Sequence, residues 1–284
     1  MKYLQIFFII LLFTACSGTK QIVVNTPKVE TPKAPQIADS ISKETEVPQI
    51  STPKTVEIKE DEVTPISRNP EAFDHTSWNN LLLKHVSETG NVNYINFKTD
   101  RKVLLNYISS LSENIPNDSW AKKDKLSYWI NAYNAITIDL ILRNYPIKSI
   151  KDIKDPWDQR LWKLGNKWFN LSDIEHDILR KMDEPRIHFA IVCASYSCPK
   201  LQNEAFTALN LEEQLTNVTK EFLSDSDRNE ISEIELKLSK IFQWFTKDFK
   251  QNGSLIDFLN QYSEVQISEN AKIKYKDYNW DLNE

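Results

Sequence analysis

The spacing of hydrophobic and polar positions changes several times along the chain, and each change predicts an element. From Leu4 to Phe13 nearly every residue is apolar, a run shorter than the ~20 residues a mature bilayer-spanning helix needs. Trp78, Leu81, Leu82 and His85 recur at helical spacing within Asp74–Val86, Gly90 closes that element, and Val92-Asn93-Tyr94 predicts a short strand. A second helix is expected over Asp100–Leu111, with Val103, Leu104, Tyr107 and Leu111 on one face. A third takes Ser119 as its N-cap and runs to Arg143, ahead of the helix-stopping Pro146. Its stripe of Leu126, Trp129, Ile130, Tyr133, Ile136, Thr137, Leu140 and Ile141 is broad, and beyond Tyr128 the helix is apolar nearly all round. Such a helix is a central, buried rod. Asn131 and Asn134, three apart, lie on one side of it. Their amides must be hydrogen-bonded there, since an unsatisfied buried polar group costs ~1–3 kcal/mol.

Further on, Leu161–Asn170 reads as a hairpin whose Gly165-Asn166 supplies a Gly-first two-residue turn. Ser172 starts a helix, with Glu175 three residues later completing a capping box. Ile187–Ala194, rich in β-branched residues and free of breakers until Ser195, predicts a buried strand. Asn210–Leu223 is a capped helix, Glu230–Leu238 alternates like a strand, and Ile241–Leu259 is helical with a break at Gly253. Helices and strands do not alternate regularly. The expected fold is therefore α+β: a helix-dominated single domain with a small, mostly antiparallel sheet.

Composition divides the chain. The apolar run after Met1-Lys2 fits a secretory signal peptide. It ends in Phe13-Thr14-Ala15-Cys16, which resembles the lipobox of bacterial lipoproteins, where cleavage precedes an acylated cysteine. Seven of the twelve prolines lie between Pro27 and Pro70, and Ser17–Asn69 contains no Trp, Tyr or Phe. That composition cannot bury enough apolar surface to offset its ordering entropy, so it predicts a tether reaching ~40 Å. The expected layout is a signal peptide over 1–15, lipidated Cys16 with a Pro-rich linker over 16–70, and a globular domain over 71–284. All eight tryptophans fall in the last part. The expected location is the cell envelope, lipid-anchored to a bilayer through Cys16. Ser17, where Asp is absent, is compatible with the outer membrane of a Gram-negative cell, on its periplasmic or surface face. The formal charge of −5 and the lack of a Lys/Arg stripe argue against nucleic acid as a partner.

After Cys16, only Cys193 and Cys198 remain as thiols. Pro199 favours a helix start directly after Cys198, where the helix dipole would acidify that thiol and make it a nucleophile. The alternatives are a disulfide with Cys193 or a buried small residue. On a regular strand His188 and Cys193 face opposite sides, so Cys193 reads as core and His188 reaches Cys198 only if the Ser195–Ser197 loop folds back. His176, beside Glu175, invites a Cys-His-Glu triad, although neighbours on a helix point ~100° apart. A metal site on His176, His188, Cys193 and Cys198 lacks a second closely spaced pair, so no metal or cofactor is expected. Trp157, Trp162, Trp168, Trp244 and Trp280 are divided between core and a stacking platform for a sugar or peptide.

Several motifs recur in order from about Ser77 to Asn283. They are Trp129-Ile130-Asn131-Ala132-Tyr133-Asn134-Ala135, Tyr145-Pro146-Ile147-Lys148-Ser149-Ile150, Leu171-Ser172-Asp173-Ile174-Glu175-His176, Arg186-Ile187-His188-Phe189-Ala190-Ile191-Val192-Cys193-Ala194-Ser195-Tyr196-Ser197-Cys198-Pro199, Leu238-Ser239-Lys240-Ile241-Phe242-Gln243-Trp244-Phe245 and Tyr278-Asn279-Trp280-Asp281-Leu282-Asn283. Together they resemble the bacterial domain of unknown function 547 family. A central helix followed by a strand carrying a histidine is also faintly similar to transglutaminase-like and papain-like thiol enzymes. In those enzymes the nucleophile would fall near Asn131, where this chain has no cysteine. The resulting expectation is a pocket between the Asn131–Asn134 helix, the Ser172 helix and the Ser195–Cys198 loop. In it Cys198 is the nucleophile, His176 or His188 the base, and Asn131 and Asn134 position the loop or donate to an oxyanion, giving acyl transfer on peptide or cell-wall amides. The competing expectation is a non-catalytic binding or scaffold domain using the same pocket.

Overall fold

The computed structural model describes residues 72–284. The signal-peptide, Cys16 and linker expectations lie outside the described residues. Helices α1 (Thr76–His85), α2 (Tyr94–Phe97) and α3 (Arg101–Glu113) lead to the long α4 (Lys122–Asn144). Every side chain of α4 from Leu126 to Leu142 is buried, so the rod expected from its all-round apolarity is present. It begins three residues after the expected cap, because the Ser119 hydroxyl is engaged by Asn117 Oδ1 at 2.6 Å in the preceding turn. Val92–Tyr94 is not a strand. Val92 makes one bridge to Val86, and then Asn93 Oδ1 accepts the Asn96 N–H at 3.0 Å and starts α2.

Asp139, fully buried on α4, accepts from Arg101 Nε (2.9 Å), Arg143 Nε (2.6 Å) and the Trp162 indole (2.9 Å). It ties α3 and α4 to the predicted hairpin, formed by β1 (Trp162–Leu164) and β2 (Lys167–Phe169). Gly165, at φ +59°, makes the turn there, and a Cβ would stand 2.9 Å from Ile115 Cγ1. The capping box expected at Ser172 and Glu175 sits two residues earlier. Asp173 N–H donates to Asn170 Oδ1 (2.7 Å) and Asn170 N–H to Asp173 Oδ2 (3.3 Å). Ser172 turns instead to Asp158, and Glu175, free of capping duty, points inward from the π-helical turn Asp173–Ile178.

The largest departure from the sequence reading is at Ile187–Ala194. Ile187–Ala190 is a single helical turn, α5, and the chain becomes extended only from Ile191. A buried strand needs a neighbouring ladder for its backbone groups. Here Asn134 takes that part, its Nδ2 donating to Ala190 O (2.9 Å) and its Oδ1 accepting from Val192 N–H (3.0 Å).

Beyond α6 (Leu211–Ser224), β3 (Glu230–Ile231) and β4 (Glu235–Leu238) pair antiparallel, and β4 pairs in parallel with β5 (Lys272–Tyr275). The helix expected over Ile241–Leu259 is three short pieces, α7 (Ile241–Trp244), α8 (Thr246–Phe249) and α9 (Leu255–Asn260). The first break falls at Phe245, whose backbone leaves the helical region (φ −107°, ψ 26°). A final strap, residues 278–283, laces the cysteine loop. Tyr196 N–H donates to Asp281 O (2.7 Å), Ser197 N–H to Asn279 O (3.2 Å) and Asn283 N–H to Ala194 O (3.2 Å). Helix-dominated with small sheets, the described residues form an α+β fold. Among them no helix is long and apolar enough to cross a membrane.

Candidate functional site

A cavity of about 350 Å³ opens where α4, the π-helical turn, α5, α7 and the strap meet. Tyr133, Glu175, His176, His188, Cys193, Cys198 and Tyr278 line it, with Trp157, Trp244, Phe245 and Trp280. The two histidines and two cysteines named from the sequence therefore share one space. His188 and Cys193 do so because their segment is not a strand. With α5 helical, the alternation that would have put them on opposite faces no longer applies.

Both thiols are free, with Sγ atoms 2.8 Å apart. Ala194 between Cys193 and Ser195 is fully buried at φ +57°, a left-handed conformation costing an alanine ~1–2 kcal/mol. The chain thereby turns sharply, and Cys198 N–H closes a turn onto Ser195 O (3.0 Å). No helix follows Pro199. Irregular chain runs on from there, with Arg228 Nε bonded to Cys198 O at 3.0 Å. Cys198 thus has no helix dipole to acidify it. Burial, and then the contact with Cys193, push its thiol well above the ordinary range. Burial also acts to raise Cys193, but hydrogen bonds from Cys198, Ser195 and Tyr278 outweigh it and bring that thiol down to about 7. The Tyr278 hydroxyl lies 3.3 Å from Cys193 Sγ and accepts from Ser195 Oγ at 2.9 Å, so its own proton is available to the sulfur. Cys193 is also the more accessible of the pair.

His188 stacks on Phe245 with ring centroids 3.9 Å apart and places Nε2 2.8 Å from Asp248 Oδ2. Burial lowers its pKa against the opposing pull of Asp248, favouring the neutral ring. A carboxylate only accepts, so Nε2 carries the proton and Nδ1 keeps its lone pair. Burial acts to raise Asp248, but His188 and the two-pronged grip of Arg180 (2.6 and 2.9 Å) hold it well below the usual carboxylate range. His176 is arranged the other way. Arg180 donates to its Nδ1 (3.1 Å), which leaves Nε2 as the protonated, donor nitrogen in the neutral ring.

Glu175 Oε1 stands 4.0 Å from His176 Nδ1, beyond hydrogen-bonding reach. Its Oε2 accepts from the Tyr133 hydroxyl at 3.0 Å, and burial raises its pKa. Asn131 and Asn134 are both occupied with backbone. Asn131 Nδ2 donates to Phe206 O (2.7 Å) and Phe206 N–H to Asn131 Oδ1 (3.1 Å), while Asn134 holds Ala190 and Val192. They shape the walls of the site without lining it.

Of the tryptophans, Trp157, Trp244 and Trp280 join Tyr278 in an aromatic group at the cavity, with Trp244 and Trp280 centroids 5.8 Å apart at 27°. Trp162 is core, and Trp168 is exposed away from the cavity. Sequence reasoning missed Asp248, Arg180 and Tyr278. The available signal for Asp248 was a carboxylate set at helical spacing from Phe245 and next to Phe249. Among the described residues no group of three or more His, Cys, Asp or Glu side chains is placed to hold a metal ion.

Against known proteins, the model of the family described as "Protein of unknown function, DUF547" matches residues 117–223. This match supports the domain of unknown function 547 family that the motifs resemble. It takes in α4, the hairpin, the π-helical turn, the cysteine loop and most of α6. Searches of curated proteins and of solved structures gave no match.

Proposed function

We propose that the protein is a thiol-dependent acyl-transfer enzyme of amidase type, acting on peptide or cell-wall amides and held at an envelope membrane by acylated Cys16. One observation carries this reading: a single, largely apolar cavity brings two free thiols together with an imidazole whose Nε2 is held by a carboxylate. Cys193 takes the attacking role expected of Cys198, because it is the more accessible of the two and has the Tyr278 hydroxyl within reach of its sulfur. Asp248 takes the orienting role expected of Glu175.

The Cys193 sulfur forms a bond to the substrate carbonyl carbon. His188 first accepts the Cys193 thiol proton at Nδ1 and returns it to the departing amine as the C–N bond breaks. Water, deprotonated by the same imidazole, then cleaves the thioester and releases the acid and free thiol. The Nε2–H of His176 is the donor available to a developing oxyanion.

The test is reduced protein mixed with 4-nitrophenyl acetate. A nitrophenol burst with acetyl trapped on Cys193 is expected, lost in Cys193→Ser and slowed about 100-fold in Asp248→Asn, as for removal of a group that positions a general base. A burst that persists in Cys193→Ser refutes the reading. Membrane attachment is checked separately, since Cys16→Ala should release the protein from the membrane fraction. The aromatic group around Trp244 and Trp280 favours a second reading, a binding module for a ligand with a flat apolar face. In that case Trp244→Ala weakens ligand binding while Cys193→Ser leaves it unchanged.

A further inference from the structure

We infer that Cys193 and Cys198 form a dithiol that exchanges with disulfides, Cys193 attacking and Cys198 resolving. The inference goes beyond acyl transfer and draws on the same attacking sulfur. Three observations lead to it. The first is proximity: with Sγ atoms 2.8 Å apart, the two sulfurs need no large chain movement to join. Amidase chemistry requires one thiol and leaves the second without a role.

The second is asymmetry. Both cysteines line the cavity, but Cys193 is half-buried whereas Cys198 is only 5 % exposed. An incoming disulfide therefore meets Cys193 first, and Cys198 is left to attack the mixed disulfide from within. The hydrogen bonds match that order. The Tyr278 hydroxyl, 3.3 Å from Cys193 Sγ and held by the Ser195 hydroxyl, can donate to that sulfur and favour its thiolate. The Cys193 backbone N–H points at Cys198 Sγ at 3.0 Å and is ready to stabilise the anion that forms there in the second step.

The third is containment. The loop carrying both cysteines is laced to the strap at Ser195, Tyr196 and Ser197. The sulfurs are therefore kept side by side in the reduced state by bonds elsewhere on the loop. The cavity walls are mostly aromatic and aliphatic, and its buried acid is held toward neutrality. That lining suits a small, neutral or apolar disulfide better than a charged one.

The chemistry balances as follows. The Cys193 thiolate attacks one sulfur of RS–SR, forming a Cys193–SR bond and breaking the S–S bond to release RS⁻. That thiolate takes the proton of Cys198 and leaves as RSH. Cys198 Sγ⁻ then attacks Cys193 Sγ, forming the intramolecular disulfide and expelling the second RS⁻. Two electrons pass from the protein dithiol to RS–SR.

The probe is bis(2-hydroxyethyl) disulfide, added to the reduced full-length protein at pH 7.5, with peptide mapping by mass spectrometry. Wild type is expected to lose two hydrogens, with residues 193 and 198 cross-linked, and to recover both thiols on addition of dithiothreitol. Cys198→Ser should accumulate the hydroxyethyl mixed disulfide on Cys193. In Cys193→Ser, modification of Cys198 should be at least tenfold slower. A wild-type protein that forms no cross-link overturns the inference, as does Cys198 reacting equally fast without Cys193. The nitrophenyl acetate burst, run on the same reduced sample, separates the two readings. A burst without a cross-link removes only the exchange activity, and a cross-link without a burst removes only the amidase.

Discussion

At the scale of single residues, the chain repeatedly uses a polar side chain in place of regular backbone pairing or a second charge. His75 is one case: buried, it shares a hydrogen bond with the Tyr107 hydroxyl at 2.7 Å, and burial lowers its pKa to about 4. Its folded-state value lies below the ordinary 6.5, so the unfolded chain binds the proton first as pH falls. The stability it contributes is complete above pH 6.5 and is lost as pH drops toward 4, by about 3 kcal/mol in total. Urea unfolding between pH 7 and 4 should show this slope, and His75→Gln should flatten it. An unchanged slope in the variant would place the acid sensitivity elsewhere. No local pattern marks this group, because a histidine one residue ahead of a helix looks the same whether it is solvated or sealed under Phe73 and Tyr107. The cysteines were legible as chemistry but not in rank. Pro199 suggested a helix start that does not form, and the acidifying groups at Cys193 come partly from Tyr278, 85 positions away.

At the scale of elements, α4 was read almost to its ends, since an apolar face that wraps the whole helix has one meaning. Ile187–Ala194 was misread because a buried β-branched run carries the same pattern whether its backbone meets a strand or an amide. Asn134 decides the matter, and its partners lie 56 and 58 residues away. Asn134→Ala should leave the Ala190 carbonyl and Val192 amide unpaired in the core, destabilising the fold by about 3 kcal/mol. Chemical denaturation measures that loss, and a change below about 0.5 kcal/mol would mean that water or neighbouring groups replace the amide. Asn131→Ala, which frees Phe206 in the same way, should behave alike. The hairpin was legible because Gly165 fixes its turn locally, and the gap between α8 and α9 falls at the expected Gly253, whereas the α7–α8 break lies at Phe245, which packs against His188.

At the scale of the whole described domain, the site is assembled from pieces distributed over more than 140 positions, from Tyr133 to Trp280. Most of its side chains were visible as types, but their convergence was not, since no local pattern links α8 to α5 or the strap to the cysteine loop. The strap is the piece whose removal tests that organisation. Deleting residues 279–284 should preserve most of the helical circular dichroism, because α1 to α6 keep their own core, yet raise the iodoacetamide reactivity of Cys198 by about tenfold. Equal rates in the two proteins would show that the loop holds its shape unaided. The strap also sets an order of events. During translation the sulfurs leave the ribosome some eighty residues before the segment that confines them, so a nascent chain carries two unguarded thiols. Any oxidant or folding helper that acts on this protein meets them first in that interval.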